Sequence, residues 1–217
     1  MAIALADLQL EYKLALQDKQ GQVEEVTGAN DVRDKAIGEA IRLYETRFPQ
    51  VKTSDVATIT TGFYPVPADW QTFSRIVSIE NPIDLNPPAY LRPNAIRQVR
   101  RSTGLFYALN PNPSSTYRLT YTTKHDALSM SNYPSLEARH VSPLAKMAAS
   151  IALLEIASYF AKTQNAQGDA VVYRTKEQEN RTMAIELRKQ ADAELRADEI
   201  RQAHALDSET YEKGWRL

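Results

Sequence analysis

The segment Val141–Ala161, VSPLAKMAASIALLEIASYFA, constrains the chain most. It is the longest apolar stretch, it is rich in alanine, and Lys146 and Glu155 interrupt it. Charges near a bilayer centre are costly, so a buried helix of a soluble core is expected here rather than a membrane span. Ser142-Pro143 places a cap residue before a proline at the first helical position. Leu144, Met147, Ala148, Ile151, Leu154 and Ala157 or Ser158 then step by three and four, and the small residues allow another helix close. A chain of 217 residues, 43% hydrophobic and 24% charged, has the material for such a core.

Further helical segments flank this one. Leu5, Leu8, Tyr12 and Leu16 give the first segment an apolar face. Gly21 and Gly28 bracket a break, and Asn30 or Asp31 offers the cap of a second helix. Val32, Ala36, Ile37, Ala40, Ile41 and Tyr44 line one side of it, and Phe48-Pro49 ends it. After NAQGD at 165–169, a long helix is expected over 172–202. Its apolar seam is narrow: Ala184, Leu187, Ala191 and Leu195. A helix this polar needs a partner, either the preceding helix or a neighbouring subunit. The last residues, AHALDSETYEKGWRL, lose the periodicity but keep Tyr211, Trp215 and Leu217. Tails are usually poor in aromatics, so this one either folds back on its own core or orders on a partner through those three side chains.

The middle block, 54–128, has a different character. Pro65, Pro67, Pro82, Pro87, Pro88, Pro93, Pro111 and Pro113 punctuate the strand-favouring runs VATIT, RIVSI, LFYAL and YRLTY. Tyr117, Leu119 and Tyr121 alternate with Arg118 and Thr120, as in a strand with one covered face. FYPVPADW at 63–70 reads as a rigid corner between strands: Pro65 and Pro67 hold the chain extended, Asp69 helps it turn, and Trp70 plugs it against the helices. The fold class is therefore α+β. A helical bundle (4–48, 142–164 and 172–202) carries an inserted small, mostly antiparallel β-sheet and an extended C-terminal tail, 203–217. Residues 1–202 form a single domain.

Catalysis finds no support. His125, His140 and His204 sit in different blocks, without carboxylates at metal-ligand spacing. No G-x-S-x-G, P-loop or G-x-G-x-x-G occurs, and 7 glycines are few for phosphate-cradling loops. The absence of cysteine removes disulfides, thiolate metal sites and cysteine nucleophiles. No catalytic, cofactor or metal residue is assigned. A net charge of -1 argues against general nucleic-acid or membrane-surface binding. The N-terminus, MAIALADLQLEYK, lacks the basic start of a secretory leader. Arg97, Arg100 and Arg101 form the best basic cluster. Its bland reading is a solvated edge, its sharper one a contact with a phosphate backbone or an acidic patch. No array of aromatics is evident around it in the sequence.

The order of these blocks resembles that of the head-to-tail adaptor (connector) proteins of tailed bacteriophages. The resemblance covers nearly the whole chain and rests on several short motifs. The corner Phe63-Tyr64-Pro65-Val66-Pro67-Ala68-Asp69-Trp70 is followed by the strand Arg75–Glu80. Tyr107–Pro113 matches a proline-marked strand end, and Leu119-Thr120-Tyr121 a strand ending in tyrosine. Gly168-Asp169 precedes Tyr173-Arg174-Thr175-Lys176 at the start of the last helix. The chain departs from the pattern before Leu105, where a glycine-centred strand is usual, and beyond 203. The resemblance implies a structural virion protein of the neck, assembled in the host cytoplasm, and not an enzyme. It implies a ring of twelve copies below the portal protein. Such a ring extends the DNA channel without reading sequence and docks the next neck or tail protein. Tyr211, Trp215, Leu217, Arg97, Arg100 and Arg101 are the candidate portal or neighbour contacts. Pro65, Pro67, Asp69 and Trp70 are the structural corner. Another phage neck or tail-completion ring protein is the alternative, and a small enzyme or nucleic-acid-binding module a remote one.

Overall fold

The computed structural model describes residues 3–17, 29–102, 104–113, 115–125, 132–133, 136–163 and 170–214. In chain order these form β1 (Ile3–Ala4), α1 (Leu5–Leu16), α2 (Ala29–Glu45), β2 (Gln50–Val56), β3 (Phe63–Pro65) and β4 (Ile76–Glu80). Then follow a 3-10 turn (Pro93–Ala95), β5 (Ile96–Arg101), β6 (Gly104–Leu109), β7 (Tyr117–Thr123) and β8 (Asn132–Tyr133). A second 3-10 turn (Ala138–His140), α3 (Val141–Thr163) and α4 (Ala170–Gly214) complete the chain. They group into two compact units, one helical (1–44 with 126–217) and one built of strands (45–125).

In the helical unit α3 is the core element. By length and composition it is apolar enough to cross a membrane. Its side chains are instead buried by α1 and α4, which both pack on it. Leu144, Met147, Ala148, Ala152, Leu153, Ile156 and Phe160 are all buried. The single stripe expected from the sequence is too narrow. Ile151 is only half-buried and Leu154 is exposed, whereas Leu153, Ile156 and Phe160 face inward. A helix covered from more than one side buries a wide arc, so three-and-four stepping cannot pick out one face. From α1 come Leu8, Tyr12 and Leu16, and from α2 come Ala36, Ile37, Ala40, Ile41 and Tyr44. Helix α2 ends at Glu45, before Phe48-Pro49; the residue preceding a proline is already pushed out of helical geometry.

Helix α4 buries the expected seam, Ala184, Leu187, Ala191 and Leu195, extended at its ends by Asn180 and Asp198. The helical backbone then runs on to Gly214, through most of the residues read as an extended tail. Loss of apolar periodicity here does not mean loss of helix. Ala, Leu, Glu and Lys between 203 and 213 are good helix formers, and no proline or glycine interrupts before Gly214. Forty-five residues at 1.5 Å each make α4 about 68 Å long.

The strand unit is two three-stranded antiparallel sheets, ordered β2-β7-β4 and β3-β6-β5. The alternation in β7 is real: Tyr117, Leu119 and Tyr121 are buried and pack with Tyr64, Ile79, Tyr107 and Leu109. Its partner strand is not VATIT. All seven residues of β2, Gln50–Val56, pair with Tyr117–Thr123, and the chain then turns at Ile59–Gly62. Gly62 has φ +66°, a region that suits glycine, and its amide donates to the Ile59 carbonyl at 3.0 Å. The tyrosines solve their own polarity. The Tyr107 and Tyr117 hydroxyls bond at 2.7 Å, and the Tyr64 hydroxyl donates to Asn112 Oδ1 at 2.6 Å. The Tyr64 ring stacks on Tyr107 and meets Tyr117 edge-on, at centroid distances of 5.5 and 5.1 Å. Burial pushes the Tyr107 hydroxyl up to about 12.

The close packing of α3 predicts that Ala152→Leu overfills the helical core. Urea denaturation should show a loss of about 1–3 kcal/mol, whereas Leu154→Ala on the exposed side should cost little.

Candidate functional site

Residues 63–80 form the expected corner. Pro65 closes β3, an edge strand, where a proline deletes no ladder bond. The Trp70 amide donates to the Pro67 carbonyl at 3.0 Å, closing a turn. Ser74 stabilises the exit: its Oγ accepts from the Gln71 amide at 2.8 Å, and its own amide donates to the Gln71 carbonyl at 3.1 Å. Asp69 does more than turn the chain. Its carboxylate accepts from Lys52 Nζ at 3.0 Å on β2 and from the Tyr121 hydroxyl at 2.9 Å on β7. Its carbonyl accepts from Thr123 Oγ1 at 2.6 Å. Burial is the largest influence on this carboxyl and raises its pKa. The Lys52 and Tyr121 hydrogen bonds and the Lys52 charge together outweigh it and hold the value below the usual range. Trp70 packs on the core of its own unit. It is half-buried and lies over Tyr121, ring centroids 6.2 Å apart, inside the strand unit.

The helical unit contains a buried polar clasp that no sequence motif announced. The Tyr44 hydroxyl on α2 lies 2.5 Å from His140 Nδ1, and His140 Nε2 lies 3.0 Å from Asp198 Oδ2 on α4. Arg139 holds the other Asp198 oxygen at 3.1 Å. Both ring nitrogens of His140 thus have a hydrogen-bond partner. Burial drives the Tyr44 hydroxyl well above the ordinary phenol range, with the charge of Glu137 adding to it. Tyr44, His140 and Asp198 are 1, 2 and 5% exposed. The arrangement orients three elements and presents no nucleophile to solvent. His125 is likewise structural: its Nε2 lies 2.6 Å from the Phe48 carbonyl, and its amide donates to Glu45 Oε1 at 2.9 Å. His204 falls on α4. Among the described residues, no group of three His, Asp or Glu side chains converges as metal ligands.

Arg97, Arg100 and Arg101 all lie on β5, exposed, at the free side of the β3-β6-β5 sheet. The region before Leu105, which departs from the adaptor pattern, is thus a 3-10 turn and a regular strand paired with β6. Alternation puts Arg97 and Arg101 on the outer face and Arg100 on the other. The fold also gathers aromatics that the sequence separates. The Arg101 guanidinium sits 3.5 Å from the Phe63 ring centroid and 6.0 Å from that of Phe106. Trp215 and Leu217 lie outside the described residues. Tyr211 falls on the last turns of α4, where the backbone alone is described.

Residues 3–202 match the family model of the SU10 adaptor protein. The chain belongs to that family. No curated protein matches it. The family is one of phage head-tail adaptors, so the adaptor is a structural phage protein associated with portal and with neck or tail proteins. The motifs behind the resemblance occupy ordered places. Tyr107–Leu109 ends β6, Leu119–Tyr121 lies in the centre of β7, and Tyr173 and Lys176 open α4 against Phe160. Gly168-Asp169 lies outside the described residues.

The Asp69 contacts predict a pH signature. A carboxyl held below its unfolded value contributes stability that is full above that value and is lost as pH falls through the folded one. Between about pH 7 and about pH 3, Asp69→Asn should therefore flatten the urea-midpoint profile of the adaptor relative to wild type. The clasp predicts that His140→Ala, which strands a buried phenol and a buried carboxylate, costs about 2–4 kcal/mol in chemical denaturation.

Proposed function

We propose that the adaptor assembles into a closed ring of twelve copies beneath the portal at the capsid vertex. The ring extends the DNA channel and offers its far side to the next neck or tail protein. DNA passes through without sequence-specific contacts, and assembly takes place in the host cytoplasm. The family match over residues 3–202 carries this reading. Two physical features support it. The chain carries a formal charge of only -1, which suits a channel that must not grip what moves through it. A ring also needs a heterologous contact, one patch meeting a different patch on the neighbour until the circle closes. Two unlike units in one chain supply unlike patches.

The portal contact is assigned to the C-terminal end of α4. Among the described side chains Asp198 is the last buried one on α4, and the helical backbone runs on to Gly214. Tyr211, Trp215 and Leu217 fall within the last seven residues of the sequence and are large apolar groups of the kind that anchor interfaces.

Negative-stain images of the protein mixed with portal should show a ring seated coaxially on it. Monomers alone, both free and with portal present, would overturn the reading. Deleting residues 206–217 should abolish portal binding and leave most of the helical circular dichroism in place; unchanged portal binding would overturn the assignment of that arm.

A further inference from the structure

Helix α1 is apolar on two opposite sides. Leu8, Tyr12 and Leu16 point into the bundle and are buried. Leu10 and Leu14, one turn apart on the other side, are 58 and 61% exposed. Asp7 and Glu11 stand on the same outer stripe, since 7, 10 and 14, and 7, 11 and 14, step by three and four. Neither carboxylate makes an ion pair or hydrogen bond among the described residues. Lys13, the remaining charge of α1, falls about a third of a turn from the middle of this stripe. A second apolar face on a surface helix asks for a second cover, and Leu10 and Leu14 have none.

Helix α4 carries the complement on its own outer side. Ile185, Lys189, Ala193, Arg196 and Ile200 step by four, four, three and four, turned away from the seam of Ala184, Leu187, Ala191 and Leu195. All five are exposed, and no acid stands among them. The acids of α4 are spoken for. Glu177 pairs with Arg181, Asp192 with Arg188, Glu194 with Lys146, and Asp198 with Arg139. Glu186 accepts from Gln190, and Glu179 and Glu199 are engaged as well. Lys189 and Arg196 make no ion pair or hydrogen bond among the described residues. The stripe is thus a cationic band with an exposed isoleucine at each end, opposite in sign to the leucine stripe of α1.

We infer that the outer face of α1 in one copy docks on the outer face of α4 in the next, and that this is the heterologous contact that closes the ring. The inference rests on the ring reading above. Both patches lie on the helical unit, and they are unlike, as a closed ring requires. Leu10 and Leu14 bury against the isoleucine stripe, while Asp7 and Glu11 meet Lys189 and Arg196. The carboxylates stand about 6 Å apart along α1 and the cations about 10 Å apart along α4, a difference that the long cation side chains take up. A nucleic acid is the less suited occupant, because its phosphates would engage the cations and leave Leu10, Leu14 and both isoleucines bare.

The test is a charge swap in the full-length protein, with ring formation read by mass photometry and negative stain, free and on portal. Asp7→Lys with Glu11→Lys should weaken self-assembly about 10-fold or more, and so should Lys189→Glu with Arg196→Glu. Combining the four substitutions should restore rings. Leu10→Ser with Leu14→Ser should weaken assembly too, and no change on α4 of charge alone should rescue it. These positions lie on outer faces, so circular dichroism and melting should match wild type. Asp7 sits in the first turn of α1, where its charge favours the helix. Should its reversal lower helix content, Asp7→Asn with Glu11→Gln decides, with a smaller loss of rings expected. Rings formed by wild type and by all these variants alike would overturn the inference and leave the ring reading intact. Loss in both charge-reversed variants without rescue in the combination would overturn the pairing. Salt-sensitive DNA binding that the α4 variant loses while keeping its rings would assign that stripe to nucleic acid instead. A wild type that never self-associates, free or on portal, would overturn the ring and the contact together.

Discussion

Helix α3 has almost no solvent face in its first half, and that constraint organises the helical unit. A helix buried over so wide an arc must be covered from several directions, and each cover must come close. Alanine at 145, 148, 149, 152 and 157 permits that approach. The covering helices can then be polar outside and thinly apolar inside, as α4 is. Dispersion and hydrophobic burial hold the bundle together but are weakly directional. The clasp of Tyr44, His140 and Asp198 adds direction. It joins α2, the turn before α3 and α4 through groups that each need a particular partner, so it fixes how far one helix slides along another.

The strand unit reaches specificity by a different route. Its core is made of tyrosines, which bring large apolar area but also hydroxyls that cannot be left unbonded. Tyr107 and Tyr117 answer each other, and Tyr64 uses Asn112. Tyr121 reaches Asp69, which ties the corner to the β2-β7-β4 sheet through three separate bonds. Arg118 gathers the acids of β2, β4 and the loop after β4 into one network. Directional bonds of this kind fix the strand unit in one arrangement.

Much of this was legible in the amino-acid order, and the failures share a cause. The α4 seam and the alternation of β7 follow from period alone, because each element buries a single narrow face. Leu154 was misplaced and Leu153 missed because α3 buries more than one face, so period carries little information there. VATIT has better strand propensity than QVKTSDV, yet the latter pairs, since β7 and the turn at Gly62 fix the register. The helical course of residues 203–214 was hidden because periodicity reports burial and not backbone state. Asp69 was identified as a corner residue, but its partners lie 17 and 52 positions away. The clasp bridges 96 and 58 positions and uses residue types that are individually ordinary. Contacts across such separations leave no local trace.

The way the strand unit is attached carries a consequence of its own. The chain enters it at Glu45 and leaves at His125; the His125 amide donates to the Glu45 carboxylate, and the His125 imidazole meets the Phe48 carbonyl. An insertion whose ends already meet places no demand on what lies between them. In the gene, two cuts would lift out the whole strand unit, and another of different length or sequence could be set in its place. The helical core could thus be kept while the strands between those two residues changed.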